Sequence, residues 1–372
     1  MKIQAAVLHA PHTPLSIETL TLEPPRDGEI LVRLVATGVC HTDVAMLGRP
    51  FPVPQPIVLG HEGAGVVESV GRGVTKVRPG DRVVMSFTSC GHCPSCHAHA
   101  STYCHDFVGA NFVGQRADGS TALSRNGEPV RHNFFGQSSF ATHSLCTERN
   151  VVKVPTSVPD AVFALLGPLG CGLQTGAGAV INVLRPRMGQ ALVVFGVGAV
   201  GLAAIMAARA IGVATIIAVD KVPHRLALAQ ELGAMHALDA SQAPDVPARV
   251  KQLTGCGADF SLDTTGVPAL IRQALDCLAP RGTCGFLGAA SPGSEVAVDV
   301  RDMMIGGKTL RGIVEGDANP DVFIPAMIEM QAQGRFPFEK LMRTYSFEQV
   351  NEAIADSKSG RTIKPVLQFA AA

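Results

Sequence analysis

The stretch Gln190-Ala191-Leu192-Val193-Val194-Phe195-Gly196-Val197-Gly198-Ala199-Val200-Gly201 decides how this chain folds. From 191 to 195 it is unbroken apolar sequence, suited to a strand buried on both faces of a parallel sheet. Gly196, Gly198 and Gly201 follow at GxGxxG spacing, with Val200 inside the turn, and 202–210 reads as a helix. The glycines permit a tight turn, close approach of a pyrophosphate and close helix–strand packing, and the helix N-terminus offers free N–H groups to phosphates. The next apolar run, 215–219, ends on Asp220, 19 positions beyond Gly201. A carboxylate there accepts hydrogen bonds from both adenosine ribose hydroxyls and repels a 2′-phosphate, so the reading is NAD rather than NADP. Strand, helix and strand recur to about residue 290, through 260–263 and 283–288, ending at Gly288. An α/β, doubly wound parallel sheet is expected here.

Upstream the texture is different. Residues 1–10, 29–36, 65–70 and 82–85 read as short β-branched strands bounded by Gly and Pro, and residues 1 to about 150 suggest a mainly β, barrel-like domain. Residues 105–133 are rich in Gly and Asn and read as a long loop. From about 312 the chain is expected to return to this first domain, with a last strand near 364–367.

Length and composition bound the function. At 372 residues two domains are expected, and a formal charge of zero gives no electrostatic reason to bind nucleic acid or an anionic membrane. No long uninterrupted apolar run suggests a membrane span, and the first ten residues lack a signal-peptide core. Ten cysteines without that signal point to a reducing compartment, the cytoplasm, and to metal ligands or buried thiols.

Cys90, Cys93, Cys96 and Cys104 give C-x₂-C-x₂-C-x₇-C. Four thiolates on one loop close a tetrahedral zinc with no open position, a structural site. The bacterial ferredoxin run begins alike but continues with three residues to Cys-Pro; here the gap is seven and no Pro follows Cys104. His92, His97, His99 and His105 then read as solvated loop histidines. Cys146, Cys256, Cys277 and Cys284 lack ligand spacing and read as buried small hydrophobes.

The stretch Gly60-His61-Glu62-Gly63-Ala64-Gly65-Val66-Val67-Glu68-Ser69-Val70-Gly71, the cysteine lobe, Gly167-Pro168-Leu169-Gly170-Cys171-Gly172 and the GVGAVG loop, in this order, resemble the zinc-dependent medium-chain alcohol dehydrogenases over essentially the whole chain. Cys40-His41-Thr42-Asp43, Phe134-Phe135-Gly136-Gln137-Ser138-Ser139-Phe140-Ala141-Thr142, Arg311-Gly312-Ile313-Val314-Glu315-Gly316 and Phe336-Pro337-Phe338-Glu339-Lys340-Leu341 look most like bacterial aryl-alcohol (benzyl alcohol) dehydrogenases, geraniol-type enzymes next. The resemblance implies a GroES-like catalytic domain over 1–167 and 312–372, and a Rossmann NAD-binding domain over 168–311.

It also implies two zinc ions per chain. Cys40, His61 and Cys171 would ligate the catalytic one, an open Cys₂His set of the kind known from alcohol dehydrogenase. Glu62 would be a carboxylate able to enter the coordination sphere, Asp43 the acid that holds the imidazole tautomer, and Thr42 the hydroxyl that takes the substrate's proton. His41 and Lys364 would contact the cofactor pyrophosphate, Arg225 the adenosine ribose. Phe87, Phe134 and Phe135 would line the substrate channel, suiting a planar aryl or allylic alcohol. Many family members carry a histidine three residues after the Thr42 position that ends a proton relay; Ala45 stands there instead. The implied reaction is reversible oxidation of a primary alcohol, the alkoxide passing hydride to nicotinamide C4. The alternatives are a terpenoid (geraniol-type) alcohol, or a non-catalytic nucleotide-binding homologue. The partner is a small alcohol or aldehyde, and a homo-oligomer, dimer or tetramer, is implied by the family alone.

Overall fold

A computed structural model describes residues 1–48, 53–243 and 245–370. The chain forms two compact units: Met1–Cys171 with Asn319–Pro325 and Glu339–Ala372, and Gly172–Ala318 with Ala326–Phe338.

The second unit is built on six parallel strands, Ala191–Phe195, Thr215–Asp220, His236–Asp239, Ala258–Asp263, Leu278–Phe286 and Thr309–Gly312. Numbered in that order they lie 3-2-1-4-5-6 across the sheet. This doubly wound order binds ligands outside the carboxyl ends of its strands. The first strand is buried at all five residues, which is why none of them is polar. Helix Ala199–Ala210 buries residues 201–208 without a break, and its run of alanines lets it lie close on the sheet. Residues 312–318 and 326–338, expected with the first domain, pack with this unit instead: Gly316 comes so near helix Gly172–Gly178 that a Cβ on Gly178 would lie 2.4 Å from its carbonyl oxygen.

The first unit is mainly β, as the resemblance implies. Strand Glu29–Gly38 is its hub, pairing antiparallel with Gly63–Val70, His143–Thr147 and Lys364–Gln368. A second antiparallel sheet joins Lys2–Leu8, Ser16–Leu22, Ile57–Val58, Leu123–Arg125 and Glu128–Val130. The stretch 105–133 is no simple loop. It carries helix Phe107–Phe112 and the hairpin of the last two strands, because Phe107 and Phe112 find an apolar core that its Gly and Asn content conceals. Among the described residues no helix is long and apolar enough to cross a membrane, and no disulfide joins any cysteines.

One buried group in this unit sets an acid limit. His132 is 2% exposed, and burial, with the Arg116 guanidinium nearby, lowers it to about 4. Between pH 6.5 and 4 the unfolded chain takes up a proton that the native state refuses, so stability falls as pH falls. The loss by pH 4 is about 3 kcal/mol at 1.36 kcal/mol per unit. Urea titrations across that range should show His132→Gln with a flatter profile than the parent; identical slopes would remove this assignment.

Candidate active site and metal centres

Cys40, His61 and Cys171 reach one point in the first unit from three segments. Cys40 caps the short helix His41–Met46. His61 precedes strand Gly63–Val70, and Cys171 follows the turn Gly167–Gly170. Gly167 permits the approach, since a Cβ there would lie 2.1 Å from the Glu62 carbonyl oxygen. Donor atoms of Cys40, His61, Glu62 and Cys171 all lie within 4.8 Å of one another, and all four residues are buried.

Asp43 organises the group. Its carboxylate accepts the Cys40 N–H at 2.9 Å, the Gly60 N–H at 3.1 Å and, from the ring, the His61 Nδ1–H at 2.8 Å. That leaves His61 Nε2 buried with no hydrogen-bond partner, a costly arrangement in any protonation state unless something binds there. Bonding from Cys171, opposed by burial and helped by the charges of His61 and Lys364, holds the Cys40 thiol well below its ordinary range. Two sulfurs, one of them a thiol held below its ordinary range, and an orphaned imidazole nitrogen fit the donor set of a zinc site, which releases protons as it fills.

Beside it lies a buried ion pair. Lys364 Nζ donates to both Glu62 oxygens at 2.8 Å and to the Val39 carbonyl at 3.3 Å. Burial pushes the Glu62 carboxyl up to about 7 and the Lys364 ammonium pulls the other way. Lys364, at 2% exposure, does not sit on a solvated face. Thr42 is half-buried, its Oγ1 3.9 Å from Cys40 Sγ, and His41 is exposed. Ala45 packs against the apolar core, with no polar atom to offer a proton.

Phe134 and Phe135 enclose the His61 ring. Phe135 stacks on it at 4.5 Å and 24°, and Phe134 meets its edge at 5.5 Å and 80°. Phe87, Phe134 and Phe135 are at most 4% exposed, so all three belong to the core. Sequence reading missed their neighbours. Phe112 lies 4.9 Å from Phe135 and 5.8 Å from Phe134, Phe107 lies 6.1 Å from Phe87, and both are half-buried. Their i, i+5 spacing on a short helix in Gly-rich sequence gives no periodic signal.

Cys90, Cys93, Cys96 and Cys104 form the second group of donors within 4.8 Å. The His105 N–H points at Cys93 Sγ at 3.5 Å and the Cys90 N–H at Cys104 Sγ at 3.3 Å. Backbone N–H groups of His105 and Cys96 draw Cys93 down to about 6, while burial pushes Cys104 up to about 12. Four such thiols cannot ionise together without a cation, and a closed tetrathiolate zinc fits. His92, His97, His99 and His105 are exposed. Of the other cysteines, Cys146, Cys277 and Cys284 are buried, but Cys256 is exposed: it follows Gly255, whose positive φ ends helix Val246–Thr254 at the surface.

In the second unit the glycine loop has the three properties a phosphate loop needs. Gly196 turns at φ +80°; Gly198 leaves nothing within 4 Å of where its Cβ would be; a Cβ on Gly201 would lie 2.0 Å from the Gly196 carbonyl oxygen. Val200 lies in the first turn of the helix that follows. Asp220 braces the loop, accepting the N–H of Val197 at 2.8 Å and those of Lys221 and Val222 at 2.7 and 3.0 Å. Arg225, half-buried on helix Pro223–Leu232, keeps a buried Nε without a hydrogen-bond partner. Gly288 passes so near Gly266 that a Cβ would lie 2.0 Å from its nitrogen.

Comparisons with known proteins agree with this architecture. Residues 26–156 match the alcohol dehydrogenase GroES-like domain, and 199–332 match the zinc-binding dehydrogenase family. Geraniol dehydrogenase of Castellaniella defragrans is 48% identical over 98% of this chain and 97% of its own length. A crystal structure of an alcohol dehydrogenase zinc-binding domain protein from Burkholderia ambifaria is 50% identical, with a TM-score of 0.97 and full coverage of both chains. Benzyl alcohol dehydrogenase of Acinetobacter calcoaceticus is 43% identical, with a TM-score of 0.96 and the same coverage. With a GroES-like unit that carries two donor groups of the kinds catalytic and structural zinc require, and a Rossmann-type unit, this chain belongs to the zinc-containing medium-chain alcohol dehydrogenases.

Proposed function

We propose that this zinc alcohol dehydrogenase oxidises primary aromatic or allylic alcohols reversibly to aldehydes, with NAD as hydride acceptor. The observation that carries the reading is the His61 ring, aimed with Cys40 and Cys171 at one point and walled by aromatic rings. In this reading Cys40, His61 and Cys171 hold the catalytic zinc, and Cys90, Cys93, Cys96 and Cys104 the structural one. Zinc at the first centre supplies a Lewis acid, which in the analogy of bound water lowers a hydroxyl pKa from about 15.7 to about 7. Thr42, beside Cys40, accepts the substrate's proton at Oγ1. Asp43 keeps the His61 Nδ1–H fixed, so Nε2 stays directed at the same point. With Ala45 three positions after Thr42, no imidazole stands there to end that proton path, and solvent takes the proton up. Lys364 neutralises Glu62, which can approach the centre only by leaving that ammonium. Asp220, with the 196–201 loop, favours NAD over NADP.

The cofactor screen is direct. Nicotinamide absorbance with benzyl alcohol, cinnamyl alcohol, geraniol and ethanol should show the three unsaturated alcohols turned over at least about tenfold better than ethanol, and NAD preferred to NADP. Ethanol as the best substrate would contradict the reading. The identity to a geraniol dehydrogenase favours an allylic terpenoid as the second reading, which the same screen separates. Phe107→Ala and Phe112→Ala, at half-buried positions, should each weaken benzyl alcohol relative to ethanol by up to about tenfold, the scale of an aromatic pair. Equal losses for both alcohols would place these rings outside the substrate wall.

The same reading takes the protein to be a cytoplasmic homo-oligomer. Edge strand Thr309–Gly312 follows helix Val300–Gly306 in the chain, on which Val300, Met304 and Ile305 are 68–74% exposed, and a second copy would cover them. Sedimentation velocity finding monomer alone would contradict the oligomer.

A further inference from the structure

Gln137, Ser138 and Ser139 are buried in succession, at 1%, 3% and 0% exposure, and the proposed chemistry uses none of them. The Gln137 side chain makes three bonds, all to backbone. Its Oε1 accepts the Gly63 N–H at 3.1 Å, and its Nε2 donates to the His61 carbonyl at 2.9 Å and the Ser86 carbonyl at 3.2 Å. The amide therefore grips the chain at His61 and two residues beyond it. Ser86 continues the link: its hydroxyl donates to the Gly170 carbonyl at 2.6 Å, one residue before Cys171. Asn150 fixes the other side, Nδ2 donating to the Ser86 carbonyl and to the Phe135 carbonyl, both at 3.1 Å. Phe135, stacked on His61, is held at φ +51°, a left-handed conformation a bulky residue keeps only when its surroundings enforce it.

We propose that Gln137 is a positioning residue which, through Ser86, fixes the separation of His61 and Cys171 and thereby sets how tightly the first metal centre holds its ion. The inference rests on the reading that Cys40, His61 and Cys171 ligate zinc. Only a neutral amide suits the place, because it must accept from one N–H and donate to two carbonyls at once. A carboxylate of the same shape keeps the first bond and faces two carbonyl oxygens with nothing to donate. The segment bearing His61 then shifts against the turn that precedes Cys171, while the cysteine lobe is untouched.

The test is zinc release from holoenzyme into excess 4-(2-pyridylazo)resorcinol. Cys40→Ala holoprotein, with zinc left only in the cysteine lobe, assigns the two phases. Gln137→Glu should release first-centre zinc about tenfold faster or more, the scale of lost support behind a metal ligand, with lobe zinc leaving at the parent rate. Release of first-centre zinc at the parent rate would overturn the inference, and so would equal acceleration of both phases, the mark of general loosening. Should Gln137→Glu not fold, Ser86→Ala, which removes the hydroxyl that donates to Gly170, carries the same expectation and the same failures. A parent protein that releases a single zinc overturns the metal reading itself, and this inference with it.

Discussion

Cys40→Ala is expected to lower kcat/KM for benzyl alcohol by more than about 10⁴-fold while leaving one zinc in each chain. The size follows from the chemistry the first centre supplies. Lowering a hydroxyl pKa from about 15.7 to about 7 corresponds to on the order of 12 kcal/mol, so a chain without that metal has little left with which to ionise its substrate. Removing Cys40 leaves His61 and Cys171 as donors. Glu62 is close enough to become a third, but turning toward a cation would take its oxygens from the Lys364 ammonium, which is buried with it at 2.8 Å. The lobe of Cys90, Cys93, Cys96 and Cys104 is a separate donor group and keeps its ion. Two zinc ions retained with activity lost would mean that Cys40 acts otherwise than as a ligand. Activity retained would remove the site altogether.

Lys364→Met should be the most destabilising substitution in the first unit, by about 3–5 kcal/mol when the buried pair is broken from one side. The variant leaves the Glu62 carboxyl enclosed without the ammonium that pairs with it. Its pKa, already about 7 from burial with Lys364 present, rises further. A carboxyl whose folded pKa lies above its unfolded value of 4.5 is most stabilising below 4.5 and loses that contribution as pH rises through the folded value. The variant's deficit should therefore widen from pH 6 to pH 9, and be larger in zinc-depleted than in zinc-loaded protein, because the metal's charge takes over part of the lysine's role. Adding Glu62→Gln should recover most of it. Denaturant titrations of the three proteins at both pH values check this; a deficit independent of pH, or no recovery in the double variant, would mean the pair is not what holds Lys364.

What could be read from the sequence was local. The 190–201 stretch announces its strand, turn and helix because each glycine answers a constraint within a few residues: a positive φ at Gly196, open space at Gly198, contact with the Gly196 carbonyl at Gly201. The cysteine lobe is legible for the same reason, its donors lying within 15 positions of one another. Cys40, His61 and Cys171 are spread over 132 positions, and only family resemblance singled them out, since nothing in their spacing says that three segments meet. The residues passed over are those whose role is purely long-range. Gln137 and Asn150 look like loop amides until their partners, 51 to 76 positions away for Gln137 and up to 64 for Asn150, are known. Phe107 and Phe112 lie in Gly- and Asn-rich sequence that carries no helical period, and the core they join comes from strands elsewhere in the chain.

The proposed mechanism requires Cys40, His61 and Cys171 to hold one metal with a coordination position left open. Zinc-edge anomalous diffraction from crystals of the zinc-loaded enzyme addresses that most directly. Two anomalous peaks per chain are expected, one within the four-cysteine lobe and one touching Cys40 Sγ, His61 Nε2 and Cys171 Sγ, with water or substrate as its fourth ligand and Glu62 still on Lys364. A single peak confined to the lobe, or a second one closed by a permanent fourth protein donor, would contradict it.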